Sequence, residues 1–240
     1  MTSTQFQNFP LVSRFIIILT IILLYQVRLH VISSLGAMNE VIGIELLSQS
    51  LLPAIIDLSE DSKWRIRVAV IGYIPMLAEK LGALFFNEKL YTLCISWLSD
   101  PVCTVRKEAA MNLKELVKLF GDEWSRDYVI PRIERIHVDK SYLNRITALY
   151  CIQIIAEFSS KDTMETVLLP TALQMAADSV PNVRFTVSKT LGILMPHIQS
   201  SSSLSEAMST LSNLCSDSDR DVSFFSREVI SATENGSRAT

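Results

Sequence analysis

The sequence predicts an all-α solenoid built from stacked helix pairs, and two columns of charged residues predict it. Arginine recurs every 39 residues, at Arg28, Arg67, Arg106, Arg145 and Arg184. Aspartate recurs at the same spacing, at Asp61, Asp100, Asp139, Asp178 and Asp217. The first four lie six residues before Arg67, Arg106, Arg145 and Arg184, and Asp217 lies six residues before Ser223, the next position of the arginine series. A fixed period of this length is the signature of a repeat architecture, in which no repeat can bury its apolar side without its neighbours.

Each repeat is predicted to hold two helices joined by a short polar turn. In the first complete repeat, a helix over 50–60 contains Pro53 near its start, where a missing N–H costs little. The turn 61–63 follows, and then a helix over 63–81 with Val70, Ile74 and Leu77 at helical spacing. Gly82 is a predicted helix stop. The later pairs are predicted at 88–99 with 102–120, 127–138 with 141–158, 164–177 with 180–197, and 204–216 with 219–232.

The aspartate and arginine columns are assigned to structure. An aspartate at the turn can accept a backbone N–H, and an arginine in the first turns of the second helix can reach the aspartate of the neighbouring repeat. The residues with this structural role are Asp61, Arg67, Asp100, Arg106, Asp139, Arg145, Asp178 and Arg184. The functional alternative is an anion-binding row of arginines, and the structural role is favoured because an acidic partner recurs in step with each arginine.

Composition excludes several classes of function. The chain has 240 residues, is 49% hydrophobic, and carries a net charge of -3, so the electrostatic footprint of a nucleic-acid binder is missing. Its 4 cysteines form no CxxC pair and are expected to be small buried residues of a reduced, cytosolic protein. No phosphate loop, zinc-protease or serine-hydrolase motif is present. We therefore expect no catalytic residue, no metal and no cofactor.

One metal-like spacing needs an explanation. Asp217, Asp219, Asp221 and Glu228 match positions 1, 3, 5 and 12 of a calcium-binding loop. The sixth position of that loop requires glycine and holds Val222 here, and Asp217 already belongs to the aspartate column. The calcium interpretation is therefore disfavoured.

The repeat unit also resembles a known family. A unit of about 40 residues with Asp six residues before Arg resembles the HEAT repeat. Four segments closely resemble the structural (A) subunit of type 2A serine/threonine protein phosphatase: NEVIGIELLSQSLLPAIIDLSEDSKWRIRVAVI, FFNEKLYTLCISWL, YLNRITALYCI and NVRFTVSKTL. The resemblance covers 27–230. It matches the last five repeats of the family's fifteen, preceded by one second helix.

The turns between the paired helices are the candidate binding surface. Trp64 and Tyr142 have the side chains of interface hot spots, and the pattern alone leaves open whether they pack between repeats instead. The resemblance implies that this edge contacts the phosphatase catalytic subunit, through Lys63, Trp64, Arg65, Tyr142, Val180 and Asn182. The chain departs from the family at Cys103, where tyrosine is usual, at Ser223, where a basic residue is usual, and at Arg220, where a small apolar residue is usual.

The resemblance thus implies a non-catalytic scaffold that binds a phosphatase catalytic subunit. Regulatory subunits are not expected to bind without the N-terminal repeats, and no nucleic-acid or membrane partner is expected. The expected location is the cytoplasm, with a nuclear fraction left open. The alternative is a general HEAT-repeat adaptor or transport-type binding protein without a phosphatase role.

Residues 1–26 break the repeat pattern. They contain FIIILTIILLY, 11 uncharged residues, which is short for a membrane span. A signal peptide, a degenerate capping helix and non-native sequence are the other interpretations, and the last two are favoured. The predicted organisation is therefore an atypical segment over 1–26, a solenoid over 27–232 and a flexible tail over 233–240.

Overall fold

The computed structural model describes residues 52–237, and this part of the chain is helical throughout, with no strand. Its α-helices are α1 Leu52–Ser59, α2 Trp64–Lys89, α3 Tyr91–Ser96, α4 Cys103–Trp124, α5 Ile130–Ile136, α6 Tyr142–Ile155, α7 Lys161–Thr163, α8 Leu169–Gln174, α9 Pro181–Leu194, α10 Ser201–Leu214 and α11 Arg220–Ser237. Four 3₁₀ turns extend α3, α6, α8 and α9, at Trp97–Ser99, Ala156–Phe158, Met175–Ala177 and Met195–His197.

The predicted helix pairs are confirmed over this range. The last helix differs from its prediction, since α11 continues to Ser237 rather than ending near residue 232. The predictions for the segment 1–26 and for Arg28 lie outside the described residues.

Two glycines break the second helices at equivalent places. Gly82 has φ 76° and Gly121 has φ 89°, and both have non-helical ψ values inside α2 and α4. A positive φ is costly for residues with a Cβ atom, so glycine is the residue suited to end a helical run there. Gly82 therefore does stop the regular helix, as predicted, although helical structure resumes directly after it.

Helix α2 is the one helix among the described residues long and apolar enough to cross a membrane. Length and composition do not distinguish a span from the core helix of a repeat. In this structure Gly82 interrupts the helix, and Ile66, Ile71 and Ile74 are completely buried against the protein. These are the features of a core helix.

Wider helical turns precede two prolines of the first helices. π-helical segments at Ser125–Val129 and Met164–Leu168 lie 39 residues apart and lead into the short helices that contain Pro131 and Pro170. Proline cannot donate to the carbonyl four residues earlier, and its ring crowds that carbonyl. A locally widened helix avoids this conflict, so Pro131 and Pro170 account for the π turns that precede them.

The chain divides into two compact units, Met1–Asn112 and Leu113–Thr240, and the division falls within α4. The described part of the first unit is centred on fully buried residues such as Ile66, Leu77 and Phe86. The second unit buries Leu116 and Leu191 in the same way. Apolar burial of this kind, at about 25 cal/mol per Å², is the main stabilising term in each unit.

Neighbouring second helices of the second unit meet through different contacts at one repeat position. Between α6 and α9, the Gln153 side-chain amide donates to Thr190 Oγ1 at 2.8 Å. Between α9 and α11, Gly192 packs against Val229, and a Cβ atom at residue 192 would lie 3.0 Å from Val229 Cγ1. Gln153 and Gly192 occupy the same repeat position, 39 residues apart.

The cysteines only partly match their prediction. None forms a disulfide; Cys94 and Cys151 are buried, and burial raises the pKa of the Cys151 thiol to about 12. Cys103, however, is exposed, and Cys215 is half-buried. Cys103 is the first residue of α4, directly after an inter-helix turn, and this position keeps it at the surface.

Candidate partner-binding surface

The five turns share one hydrogen-bonded geometry. In each, the column aspartate accepts the backbone N–H two residues later through its Oδ1 atom, at 2.7–2.8 Å. The aspartates are Asp61, Asp100, Asp139, Asp178 and Asp217. The predicted backbone-capping role of this column is confirmed.

The arginine column joins neighbouring repeats. Arg67 donates through Nε and Nη2 to both carboxylate oxygens of Asp100, at 2.9 Å each. The next such bidentate pairs are Arg145 with Asp178, at 2.6 and 2.8 Å, and Arg184 with Asp217, at 2.7 and 2.8 Å. Two parallel charge-assisted bonds fix both distance and orientation. The predicted stacking role is therefore confirmed at three positions.

The same arginines also hold their own turns. Nη1 of each donates to the carbonyl oxygen of the aspartate six residues earlier, for example Arg145 to Asp139 and Arg184 to Asp178, at 2.8 Å each. The Asp217 hydrogen bond raises the pKa of Arg184, and the Arg184 guanidinium lowers the pKa of Asp217. Burial would raise the pKa of Asp178, but donors from Arg145 and the Val180 N–H outweigh it and lower that pKa.

Arg106 and Asp139 belong to different compact units. In the first unit, Arg106 donates to the carbonyl oxygens of Asp100 and Pro101 at 2.7 and 3.2 Å. In the second, the Ser141 N–H donates to Asp139 and lowers the pKa of that carboxyl. Arg106 thus holds its own turn, and Asp139 caps the turn in which the sequence places it.

The turn 61–65 of the first unit brings three predicted site residues together. Lys63 and Arg65 are exposed, and Trp64, the first residue of α2, is half-buried. The Arg65 guanidinium lies 4.3 Å from the centre of the Trp64 ring, a cation–π contact. Trp64 and Arg65 therefore form one flat, cationic surface element, whereas Arg67, two residues later, points into the repeat stack.

The turn 138–143 of the second unit is apolar at its surface. Val138, Tyr142 and Leu143 expose 65%, 39% and 38% of their surface. Val138 is not among the residues predicted from the sequence, although a valine beside a turn aspartate is a usable signal. The next turn holds Val180, half-buried before α9, and Asn182, exposed in its first turn. Tyr142 thus keeps over a third of its surface open to solvent.

A shallow pocket of about 430 Å³ separates these two turns. It lies between the turn after α5 and the turn before α9, both in the second unit. Its lining residues are His137, Val138, Asp139, Lys140, Arg145, Gln174, Met175, Ala177, Asp178 and Ser179. Tyr142, Val180 and Asn182 flank this pocket without lining it.

The calcium-like spacing has a structural explanation. Asp217 is paired with Arg184, and Asp219 caps α11 by accepting the backbone N–H groups of Asp221 and Val222. Glu228 lies on α11 itself, two turns beyond its start. Within the described residues, no group of three or more His, Cys, Asp or Glu side chains could hold a metal ion.

Comparison with known proteins decides between repeat families. The HEAT-repeat family model matches residues 168–198, which run from the end of a π turn to the end of the following second helix. The A-type regulatory subunit of protein phosphatase PP2A from Saccharomyces cerevisiae is 38% identical over 125 residues, covering 49% of this chain and 20% of that protein. The chain thus contains a HEAT repeat and is similar, over about half of its length, to the A-type regulatory subunit of PP2A.

The similarity extends to a second yeast but is partial in length. The corresponding PP2A regulatory subunit of Schizosaccharomyces pombe is 41% identical over 68 residues, covering 28% of this chain and 12% of that protein. A Candida glabrata protein named as a non-specific serine/threonine protein kinase is 30% identical over 125 residues, but only 8% of its length is covered. This HEAT-repeat chain thus spans a fifth or less of each of these relatives.

Solved structures agree on the fold. Importin β superposes on 92% of this chain with a TM-score of 0.64 and 13% identity, using 28% of its own length. Cex1p superposes on 82% with a TM-score of 0.60 and 18% identity, using 39% of its length. At such identities the likeness shows the HEAT-type solenoid and nothing about partners.

Proposed function

We propose that the chain is a non-catalytic scaffold that binds the catalytic subunit of a type 2A protein phosphatase through its inter-helix turns. The observation that carries the proposal is the similarity to the PP2A regulatory subunits of two yeasts. These relatives are regulatory subunits by name. Catalysis is therefore assigned to the partner, not to this chain.

The geometry of the turns supports the proposal. Arg67 holds the turn before Trp64 through the carbonyl oxygen of Asp61, and Arg145 holds the turn before Tyr142 through the carbonyl oxygens of Asp139 and Lys140. The side chains carried at these turns are therefore placed before a partner arrives. Preorganised aromatic and arginine side chains bind with a small entropic cost. Trp64 with Arg65, and Val138 with Tyr142 and Leu143, are surface elements of this kind.

The direct test is capture of a purified type 2A catalytic subunit by the full chain, measured by biolayer interferometry. Binding in the micromolar range or tighter is expected. Absence of binding by a chain whose circular dichroism is fully helical would overturn the proposal.

Two substitutions test the site. Trp64→Ala and Tyr142→Ala are each expected to weaken binding by about 2 kcal/mol, roughly thirtyfold in Kd, as for interface hot spots. Matched controls remove exposed apolar side chains away from the turns: Leu84→Ala, 85% exposed, for the first unit, and Phe224→Ala, 53% exposed, for the second. Equal effects of test and control variants would show that the turns are not the binding surface. The proposal that the catalytic subunit is the partner would still stand.

Location is part of the same proposal. A scaffold of this kind is expected in the cytoplasm, with a nuclear fraction left open. Fractionation of cells followed by immunoblotting checks this expectation, and recovery with carbonate-washed membranes would contradict it.

A further inference from the structure

The pocket between the turns 137–141 and 174–179, here the turn pocket, holds polar groups that the fold does not use. Lys140 and Ser179 are exposed, and no side-chain interaction of either is present among the described residues. Gln174 is exposed in the same way on the opposite wall. The pocket thus presents uncommitted hydrogen-bond donors at a place where two turns approach.

The other charges of the turn pocket are already engaged. Arg145 donates to both oxygens of Asp178 and to the carbonyl oxygens of Asp139 and Lys140. The Asp178 oxygens accept these bonds and the Val180 N–H, and Asp139 accepts the Ser141 N–H. Each of these aspartates is neutralised or capped within the repeat, so Lys140 is the ammonium group left to face a ligand.

His137 adds a second donor. Its Nδ1 atom is buried and has no hydrogen-bond partner, so Nε2 is the ring nitrogen open to a ligand. A neutral ring with its proton on Nε2 leaves no unpaired N–H in the interior. A protonated ring also carries a proton on Nε2. In both forms, Nε2 donates.

The apolar rim sets the kind of partner. Val138, with 65% of its surface exposed, lines the pocket beside Lys140, and Tyr142 and Leu143 extend the apolar surface. An uncharged apolar segment would leave Lys140 and His137 unpaired on binding. A segment with a carboxylate next to an apolar residue would pair both donors and cover the rim.

We propose that the turn pocket receives an aspartate or glutamate side chain of the protein partner, held by Lys140 and His137. The inference rests on the proposed function, since it assigns the chemistry of one contact with that partner. Residues 137 and 140 lie outside the set of turn residues that the family resemblance selects.

The test uses the full chain and the purified phosphatase catalytic subunit. Lys140→Gln is expected to raise the Kd about tenfold, because a charge-assisted hydrogen bond is lost, and to reduce the dependence of Kd on salt. His137→Leu is expected to act similarly, whereas His137→Gln, which keeps an N–H donor, retains most of the affinity. Lys161→Gln, at an exposed lysine of the same unit away from the pocket, is the matched control.

A second measurement does not depend on the phosphatase. N-acetylaspartate is titrated into the chain while the ring protons of His137 are followed by NMR, with inorganic phosphate in a parallel titration. A saturable shift with N-acetylaspartate that Lys140→Gln removes supports the carboxylate site. Saturation by phosphate at lower concentration than by N-acetylaspartate would overturn the carboxylate assignment.

The outcomes separate the two proposals. If the catalytic subunit binds and the Lys140 and His137 variants match the Lys161 control, the pocket inference fails and the proposed function stands. If the catalytic subunit does not bind but the carboxylate titration depends on Lys140, the proposed function fails and the site remains. No shift with either probe, together with unchanged binding, rejects the site.

Discussion

Replacement of Arg184 by methionine isolates the energetic role of the arginine ladder. The substitution keeps an apolar stem but removes the two bonds to Asp217 and the bond to the Asp178 carbonyl, at 2.7–2.8 Å. The side chains of Arg184 and Asp217 are 15% and 9% exposed. Loss of one partner from a buried pair costs about 3–5 kcal/mol. Solvent reaches this pair, and the Asp219 N–H still donates to Asp217 in the variant. We therefore expect the free energy of unfolding to fall by about 3 kcal/mol.

The assay is urea denaturation at neutral pH combined with hydrogen exchange. In a repeat protein, stability is a sum of terms within repeats and between neighbours, and this pair links α9 to the repeat formed by α10 and α11. Arg184→Met is therefore expected to speed amide exchange in α10 and α11 first, before the rest of the second unit responds. Exchange that rises uniformly over the second unit would contradict this localisation.

A double-mutant cycle completes the test. Asp217→Asn combined with Arg184→Met should be less destabilising than the sum of the two single changes, with a coupling of about 2 kcal/mol. Arg220→Met, at an exposed arginine in the first turn of α11, is the control and should change stability by less than about 0.5 kcal/mol. A cost for Arg184→Met no larger than that of the control would refute the reasoning.

The pair also predicts a pH dependence. Arg184 lowers the pKa of Asp217 below its ordinary value of 3.8, so the folded state holds the charged form more strongly than the unfolded state. This stabilisation is complete above the ordinary pKa and is lost as pH falls through the lowered one. The free energy of unfolding should therefore fall less steeply with decreasing pH in Arg184→Met than in the wild-type chain. Identical slopes on the acid side would refute the link between this pair and the pH dependence.

Three further predictions concern other positions. Gly121→Ala is expected to destabilise by about 1–3 kcal/mol in thermal unfolding, because φ is 89° there; an unchanged Tm would contradict this. Phe86→Ala, at a completely buried ring, should cost about 3–5 kcal/mol in urea unfolding, and a cost under about 1 kcal/mol would be inconsistent with that burial. Glu165 accepts the backbone N–H groups of Gln199 and Ser200, which lower its pKa; Glu165→Gln should speed exchange at both amides, and wild-type protection should fall as pH falls through the lowered pKa.

The parts of the fold that depend on register could be predicted from the sequence. The turn position of Asp178 and the inward position of Arg145 follow from a 39-residue period alone, because every repeat presents them at the same angle. Gly82 was predictable as a helix stop for a local reason, its freedom at positive φ. The exposure of Cys103 was predictable from the same register but was obscured by the general tendency of free cysteines to be buried.

The candidate site was predictable only in part. Trp64 and Tyr142 stand out as large aromatic residues at turns, but their availability to a partner depends on how neighbouring side chains pack. The turn pocket could not be predicted, because Lys140 matters only after Arg145 and Asp178 have satisfied each other. The burial of one His137 nitrogen is likewise a three-dimensional property with no sequence signal.

The contrast between Gln153 and Gly192 has a consequence for how such stacks diversify. At this position α6 meets α9 through the hydrogen bond from Gln153 to Thr190, whereas α9 meets α11 through Gly192 and the Val229 side chain. The contact between neighbouring second helices therefore changes with one residue per repeat. Exchanges at this position would adjust the spacing of the turns that a partner must span. The Arg–Asp pairs that hold the repeats together would stay unchanged, because they lie at other positions of the repeat.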